Sequence, residues 1–139
     1  MFSRVKVKKG ALDYFRKLAR QSFPYEIQAY LVGKINSIDE VEIVSFAYTK
    51  KYSIQTKGTV AWYVEDYNLL KENAENAGYK ILGDIHTHPS WDAVLSPADY
   101  NISVLEQQVI CGICSVINKK TRVRFWTPAS ALPCRIIYT

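Results

Sequence analysis

The spacing of hydrophobic and polar residues predicts a strand, a helix and a hairpin in the first 50 residues. Residues 5–8, VKVK, alternate between apolar and basic side chains, which is typical of a short, half-exposed strand. Apolar residues then recur at helical spacing over residues 11–19, so an amphipathic helix should end before Pro24. Segments 27–35 and 41–49 are rich in β-branched and aromatic residues, and the polar residues 36–40 between them indicate a hairpin.

The remainder of the chain mixes helical and strand patterns. A strand is predicted over 59–64, then a helix over 67–77 with Gly78 as a left-handed C-terminal cap, and a strand over 81–88. A third helix should begin at Pro97, followed by strands over 109–117 and 122–127 that are joined through 118–121. This order predicts an α+β fold in which about three helices flank a mixed β-sheet, with residues 1–139 forming one domain.

Composition and charge exclude several functional classes. The 139 residues are 48% hydrophobic and 22% charged, and 18 Lys and Arg against 13 Asp and Glu leave a net charge of +5. No apolar run approaches the roughly 20 residues of a spanning helix, and the basic N-terminus lacks the apolar stretch of a signal peptide. Without these segments we expect a cytoplasmic protein that has no membrane partner. Exposed sheet edges explain the basic residues, so a nucleic acid is not expected as a partner either.

The three cysteines favour a reducing compartment and a role in the core. An odd, small number of cysteines does not suit a disulfide framework. Cys111 and Cys114 form a CxxC motif, which could be half of a zinc site or a redox pair. Their context, VICGICSVI, is typical of a buried strand, where residues three apart point to opposite faces. We therefore predict two core thiols that diverge.

Both histidines of the chain lie in one short segment, His86-Thr87-His88-Pro89. On a strand, residues i and i+2 project from the same face, so the two imidazoles should lie side by side, as a metal site requires. Two solvent-facing or hydrogen-bonded histidines would give the same pattern.

A carboxylate eleven residues further on could complete such a site. Ser96-Pro97-Ala98-Asp99 has the form of a helix capping box, which is a purely structural explanation for these residues. A helix that begins beside the histidine strand would also deliver Asp99 as a third ligand, with the fourth position left to water. Asp84 and Asp92 are rival acids. Asp84 lies roughly 13 Å from His88 along the strand, so orienting His86 suits it better than ligation, and Asp92 resembles a turn former.

The spacing His86-x-His88-Pro89, six residues, Ser96, two residues, Asp99 resembles the JAMM motif of the JAB1/MPN/Mov34 zinc metalloprotease family. Upstream, Pro24-Tyr25-Glu26 followed by Leu31-Val32-Gly33 is similar to the acidic residue and glycine-ended strand of that family. The resemblance implies an MPN-like domain of cytidine-deaminase-like architecture. With little room for insertions at 49–58 and 103–108, it implies a minimal member of the bacterial, archaeal or viral type.

The same resemblance implies a mechanism. One zinc ion per chain would be bound by His86, His88 and Asp99, Glu26 would be the general acid/base for a zinc-activated water, and Ser96 would help stabilise the oxyanion. The implied activity is hydrolysis of peptide or isopeptide bonds, with a ubiquitin-like protein or a peptide as substrate. Two alternatives are a non-catalytic MPN-type protein-binding module and a small-molecule amide hydrolase.

Overall fold

The computed structural model describes residues 2–128 and 132–139. Within these residues the chain forms nine strands and three helices. In chain order they are β1 (Arg4–Val7), α1 (Lys9–Ser22), β2 (Gln28–Ile35), β3 (Glu40–Ala47), β4 (Tyr52–Gln55), β5 (Val60–Trp62), α2 (Val64–Asn76), β6 (Lys80–Pro89), α3 (Pro97–Leu105), β7 (Cys111–Ile117), β8 (Lys120–Trp126) and β9 (Arg135–Tyr138).

Seven strands form one mixed sheet in the order β8-β7-β6-β2-β3-β1-β9, and β4 pairs with β5 in a separate hairpin. The pairs β6–β7, β1–β3 and β1–β9 are parallel, while β2–β3, β2–β6 and β7–β8 are antiparallel. The predicted α+β class, with a mixed sheet and three helices, is confirmed. No helix among the described residues has the length and apolar character needed to cross a bilayer.

The large sheet carries a separate apolar cluster on each face. The main core includes Leu12 and Phe15 of α1, together with Cys114 of β7. Cys111, three residues earlier on β7, packs in the second cluster with Ile113 and Trp126. All three cysteines are buried free thiols, and the predicted divergence of Cys111 and Cys114 is confirmed.

Gly83 allows the chain to pass closely behind β6, the strand that carries both histidines. A side chain at Gly83 would collide with the backbone carbonyl oxygen of Ile110. The amides of Val109 and Ile110 donate to the Leu82 carbonyl at 2.8 and 3.2 Å, which guides the chain into β7. Glycine at this position therefore lets β7 enter the sheet beside β6.

Several boundaries differ from those predicted from the sequence. Strands β4 and β9 were not expected, and the strand predicted over 59–64 shortens to β5 because α2 already begins at Val64. The β7–β8 connection is a two-residue turn, Asn118-Lys119, in which both residues have positive φ (52° and 64°), as the favoured hairpin turn requires. The predicted cap Gly78 does adopt positive φ, 84°.

Candidate metal centre

Strand β6 presents both histidines on one face. His86 and His88 are almost fully buried, with 7% and 2% of their surface exposed, and their ring centroids lie 5.2 Å apart. Thr87, between them, points to the other face, where its hydroxyl accepts a hydrogen bond from the Ile27 amide at 2.9 Å. The alternation of β6 therefore brings the two imidazoles together, as their spacing predicts.

The N-terminus of α3 delivers Asp99 to these imidazoles. Ser96 caps the helix: its hydroxyl accepts from the Asp99 amide, and the Ser96 amide donates to the Asp99 carboxylate, both at 3.0 Å. The same carboxylate contacts both histidines: its Oδ1 is 2.8 Å from His86 Nε2, and its Oδ2 is 3.0 Å from His88 Nε2. One carboxylate thus completes the capping box and lies between the two histidines.

The other nitrogen of each ring has its own acceptor. His86 Nδ1 lies 3.0 Å from Asp84 Oδ2, and His88 Nδ1 lies 2.9 Å from the backbone carbonyl of Asp92. Trp91 stacks on the His88 ring, with centroids 3.8 Å apart and planes 4° apart. Because acceptors hold both Nδ1 atoms, the Nε2 atoms are the ones that face Asp99.

In the described part of the chain, one nitrogen of the His86, His88 and Asp99 group lacks a hydrogen bond and is available to a metal ion. His86 Nε2 is buried and makes no hydrogen bond within the described residues, although an Asp99 oxygen is 2.8 Å away, which means that the two atoms are not aligned for one. Two imidazole nitrogens and a carboxylate oxygen, all within 4.8 Å of one another, form a donor set that zinc accepts. The residues present therefore fit a zinc ion.

The charges of the site are strongly coupled. Burial on its own lowers the pKa of His86, but the Asp84 and Asp99 carboxylates outweigh it and raise that pKa to about 10. Burial raises the pKa of Asp99, yet the adjacent imidazoles of His86 and His88 hold it well below its ordinary value. A metal ion at Nε2 has to displace the His86 proton, so falling pH should weaken metal binding.

Glu26 reaches the same site from the residues that precede β2. Its amide donates to the Thr56 carbonyl at 2.9 Å, and its carbonyl accepts from the Gln55 side chain at 3.0 Å, so the β4–β5 hairpin holds it in place. Only 7% of Glu26 is exposed, and burial raises the pKa of its carboxyl group. It lines a cavity of about 120 Å³ together with Gln28, Gly58, Thr59, Val60, Asp84, His86, Ala98, Asp99 and Ile102.

Ser96 and Asp92 differ from the other candidates in position. Ser96 is not among the residues that line the cavity, and its hydroxyl oxygen accepts the hydrogen bond that caps α3. The Asp92 side chain is exposed, and only its backbone carbonyl contacts the histidines. The structure therefore brings together His86, His88, Asp99 and Glu26, and places Ser96 at the edge of the group.

A second group of donor atoms, not predicted from the sequence, shares His86. Asp84, His86 and Cys111 also lie within 4.8 Å of one another, and the Cys111 thiol donates to Asp84 Oδ1 at 3.6 Å. Burial raises the pKa of Cys111 well above its ordinary value, which disfavours the thiolate that zinc needs. Only the parallel pairing of β7 beside β6 brings Cys111 to this place, and no sequence motif signals that pairing.

Comparison with known proteins assigns the chain to a family. Residues 8–129 match the family model described as prokaryotic homologs of the JAB domain. The chain belongs to this prokaryotic JAB-domain family. The match confirms the resemblance seen in the sequence, and JAB-domain families include hydrolases. A search of the curated proteins found no match.

Solved structures share this fold at low sequence identity. The solution structure of a protein from Desulfitobacterium hafniense has a TM-score of 0.72 at 16% identity, and the aligned region covers 97% of this chain and 92% of that protein. A solution structure from Salinibacter ruber has a TM-score of 0.64 at 17% identity, covering 96% and 91%. The crystal structure of a JAB1/MPN domain protein from Archaeoglobus fulgidus has a TM-score of 0.60 at 16% identity, covering 97% and 99%. At these identities the likeness establishes the fold alone.

Proposed function

We propose that this JAB-domain chain is a zinc-dependent hydrolase of peptide or isopeptide bonds. Its substrate would be a ubiquitin-like protein, which it removes from a conjugate or whose tail it processes. The observation that carries the proposal is the convergence of His86 Nε2, His88 Nε2 and the Asp99 carboxylate beside the buried Glu26. In this proposal the two histidines and Asp99 hold one zinc ion per chain.

The zinc ion, when bound, supplies Lewis acidity that polarises a carbonyl group and lowers the pKa of water from about 16 to about 7. The residues supply the remaining chemistry. Glu26, whose pKa is raised by burial, takes a proton from the attacking water and delivers it to the leaving amine. Asp99 stays ionised because its pKa is held low, so its negative charge remains available to a cation.

Ser96 has a proposed role that is compatible with its cap. A hydroxyl group has one proton to donate and two lone pairs to accept with, and the cap uses only an accepting lone pair. The Ser96 proton can therefore be donated to a developing oxyanion.

Ser96→Ala tests this double role. Loss of the cap should lower the melting temperature modestly, equivalent to about 1 kcal/mol, and loss of an oxyanion donor should reduce kcat on the order of 10² to 10³. KM should change little, because the interaction strengthens only in the transition state. Ser96→Thr, which keeps the hydroxyl, should be stable and partly active. If Ser96→Ala turned over normally while folded, Ser96 would be only a cap.

The proposed function is tested on the purified chain. Elemental analysis should find one zinc per chain, and a chelator should abolish cleavage of a ubiquitin-like protein joined to a tail by a peptide bond or to a lysine by an isopeptide bond. Binding of this substrate without cleavage, with or without zinc, would instead support a non-catalytic module. Zinc-dependent cleavage of small amides alone would support a small-molecule hydrolase.

A further inference from the structure

The carboxylate of Asp84 lies beneath the metal centre and collects three hydrogen-bond donors. His86 Nδ1 and Gln28 Nε2 approach its Oδ2 at 3.0 and 2.9 Å, and the Cys111 thiol approaches Oδ1 at 3.6 Å. Asp84 is 3% exposed. A buried carboxylate with several donors is held in one orientation, since rotation would leave its charge unpaired.

Gln28 is itself held rigidly. It pairs with His86 across β2 and β6. Its backbone amide donates to the Tyr52 hydroxyl at 3.0 Å, and its backbone carbonyl accepts from the Tyr52 hydroxyl and the Trp62 indole at 3.1 and 3.2 Å. An ionised carboxylate only accepts hydrogen bonds, so the Gln28 side chain must turn its NH₂ group towards Asp84. The β4–β5 hairpin thus supports Asp84 through Gln28.

The Asp84 carboxylate holds a proton on His86 Nδ1, because an ionised carboxylate accepts hydrogen bonds and cannot donate one. When a metal ion displaces the Nε2 proton on the side of Asp99, the remaining ring proton is therefore held on Nδ1, facing Asp84. His88 lacks a carboxylate partner of this kind, because its Nδ1 faces the Asp92 backbone carbonyl. Any effect of Asp84 should therefore fall on His86 and not on His88.

We propose that Asp84 is a positioning residue that, supported by Gln28, fixes His86 in the tautomer and orientation whose Nε2 binds the metal ion. This role rests on the proposed metal centre, in which His86 is a ligand. Asp84 acts through His86 and does not itself touch the metal ion.

The test uses the full chain labelled with ¹⁵N-histidine and loaded with zinc. The chain has two histidines, so the spectrum contains four ring nitrogens. In the wild type, both Nδ1 atoms should carry protons and both Nε2 atoms should bind zinc. In Asp84→Asn, the signals of His86 should shift and its Nδ1 proton should exchange faster, while those of His88 stay in place. Zinc affinity, measured by competition with a chelator, should fall roughly 10- to 100-fold.

Two further variants make the test specific. Gln28→Met keeps Asp84 but removes one of its anchors, so zinc affinity should fall by a smaller factor, and this variant keeps the proposal testable if Asp84→Asn does not fold. Asp66→Asn makes the same chemical change on α2, at a residue that does not line the cavity of the metal centre, and should leave zinc affinity unchanged.

The outcomes separate this proposal from the proposed function. A wild-type chain that binds no zinc would overturn the metal centre and the positioning role together. Zinc bound by the wild type, with both Asp84→Asn and Gln28→Met within about twofold of its affinity, would overturn the positioning role alone. Equal changes at His86 and His88 would also overturn it, since they would indicate general loosening of the site.

Discussion

Replacing His86 or His88 with alanine should remove stoichiometric zinc from the purified chain, and with it all hydrolysis. Each substitution deletes one of three proposed protein ligands, and the chain has no other histidine that could take its place. Structural zinc sites bind with about 10–16 kcal/mol shared among four ligands, so one lost ligand should weaken binding roughly 10² to 10³-fold. Elemental analysis and chelator competition measure this loss directly.

Cys111→Ser is the control that separates the two groups of donor atoms around His86. If zinc is bound by His86, His88 and Asp99, Cys111→Ser should keep one zinc per chain and His88→Ala should lose it. If zinc were instead bound by Asp84, His86 and Cys111, the two results would be reversed. Full zinc in His88→Ala would therefore disprove the proposed ligand set.

The ligand candidates could be found in the sequence because each depends on local geometry. Two histidines at i and i+2 share a face of any regular strand, and a capping box fixes Asp99 at the third residue after its helix cap. The sequence does not determine how close α3 lies to β6. In the structure the Asp99 oxygens lie 2.8 and 3.0 Å from the Nε2 atoms of His86 and His88.

The supporting residues could not be found in this way, because they depend on pairing between distant strands. Gln28 lies beside His86 through the β2–β6 register, and Cys111 reaches Asp84 through the parallel β6–β7 pair. Residues 135–138 form the short strand β9 for a similar reason, by pairing with β1 at the other end of the chain, whereas β4 pairs with the neighbouring β5. A run of four residues carries too little periodicity to reveal such a partner.

The burial of Glu26 could not be predicted from the sequence either. An acidic residue before a strand is ordinarily exposed, yet Glu26 is buried because the β4–β5 hairpin folds over it and binds its backbone through Gln55 and Thr56. Within the described residues its carboxylate makes no hydrogen bond. A buried carboxylate without such partners, in a cavity shared with His86 and Asp99, has the environment of a proton carrier.

Glu26→Gln should therefore keep zinc and thermal stability but lose at least about a hundredfold in kcat. Glutamine has nearly the same shape as glutamate, so packing against the hairpin is retained, while the group that carries the proton is removed. The variant should still hold substrate, which makes it suitable for trapping a conjugate. Glu72→Gln, the same change at an exposed position of α2, should have no effect on rate. Near-normal turnover by a zinc-loaded Glu26→Gln variant would show that another group moves the proton, and the buried Asp84 would be the first to examine.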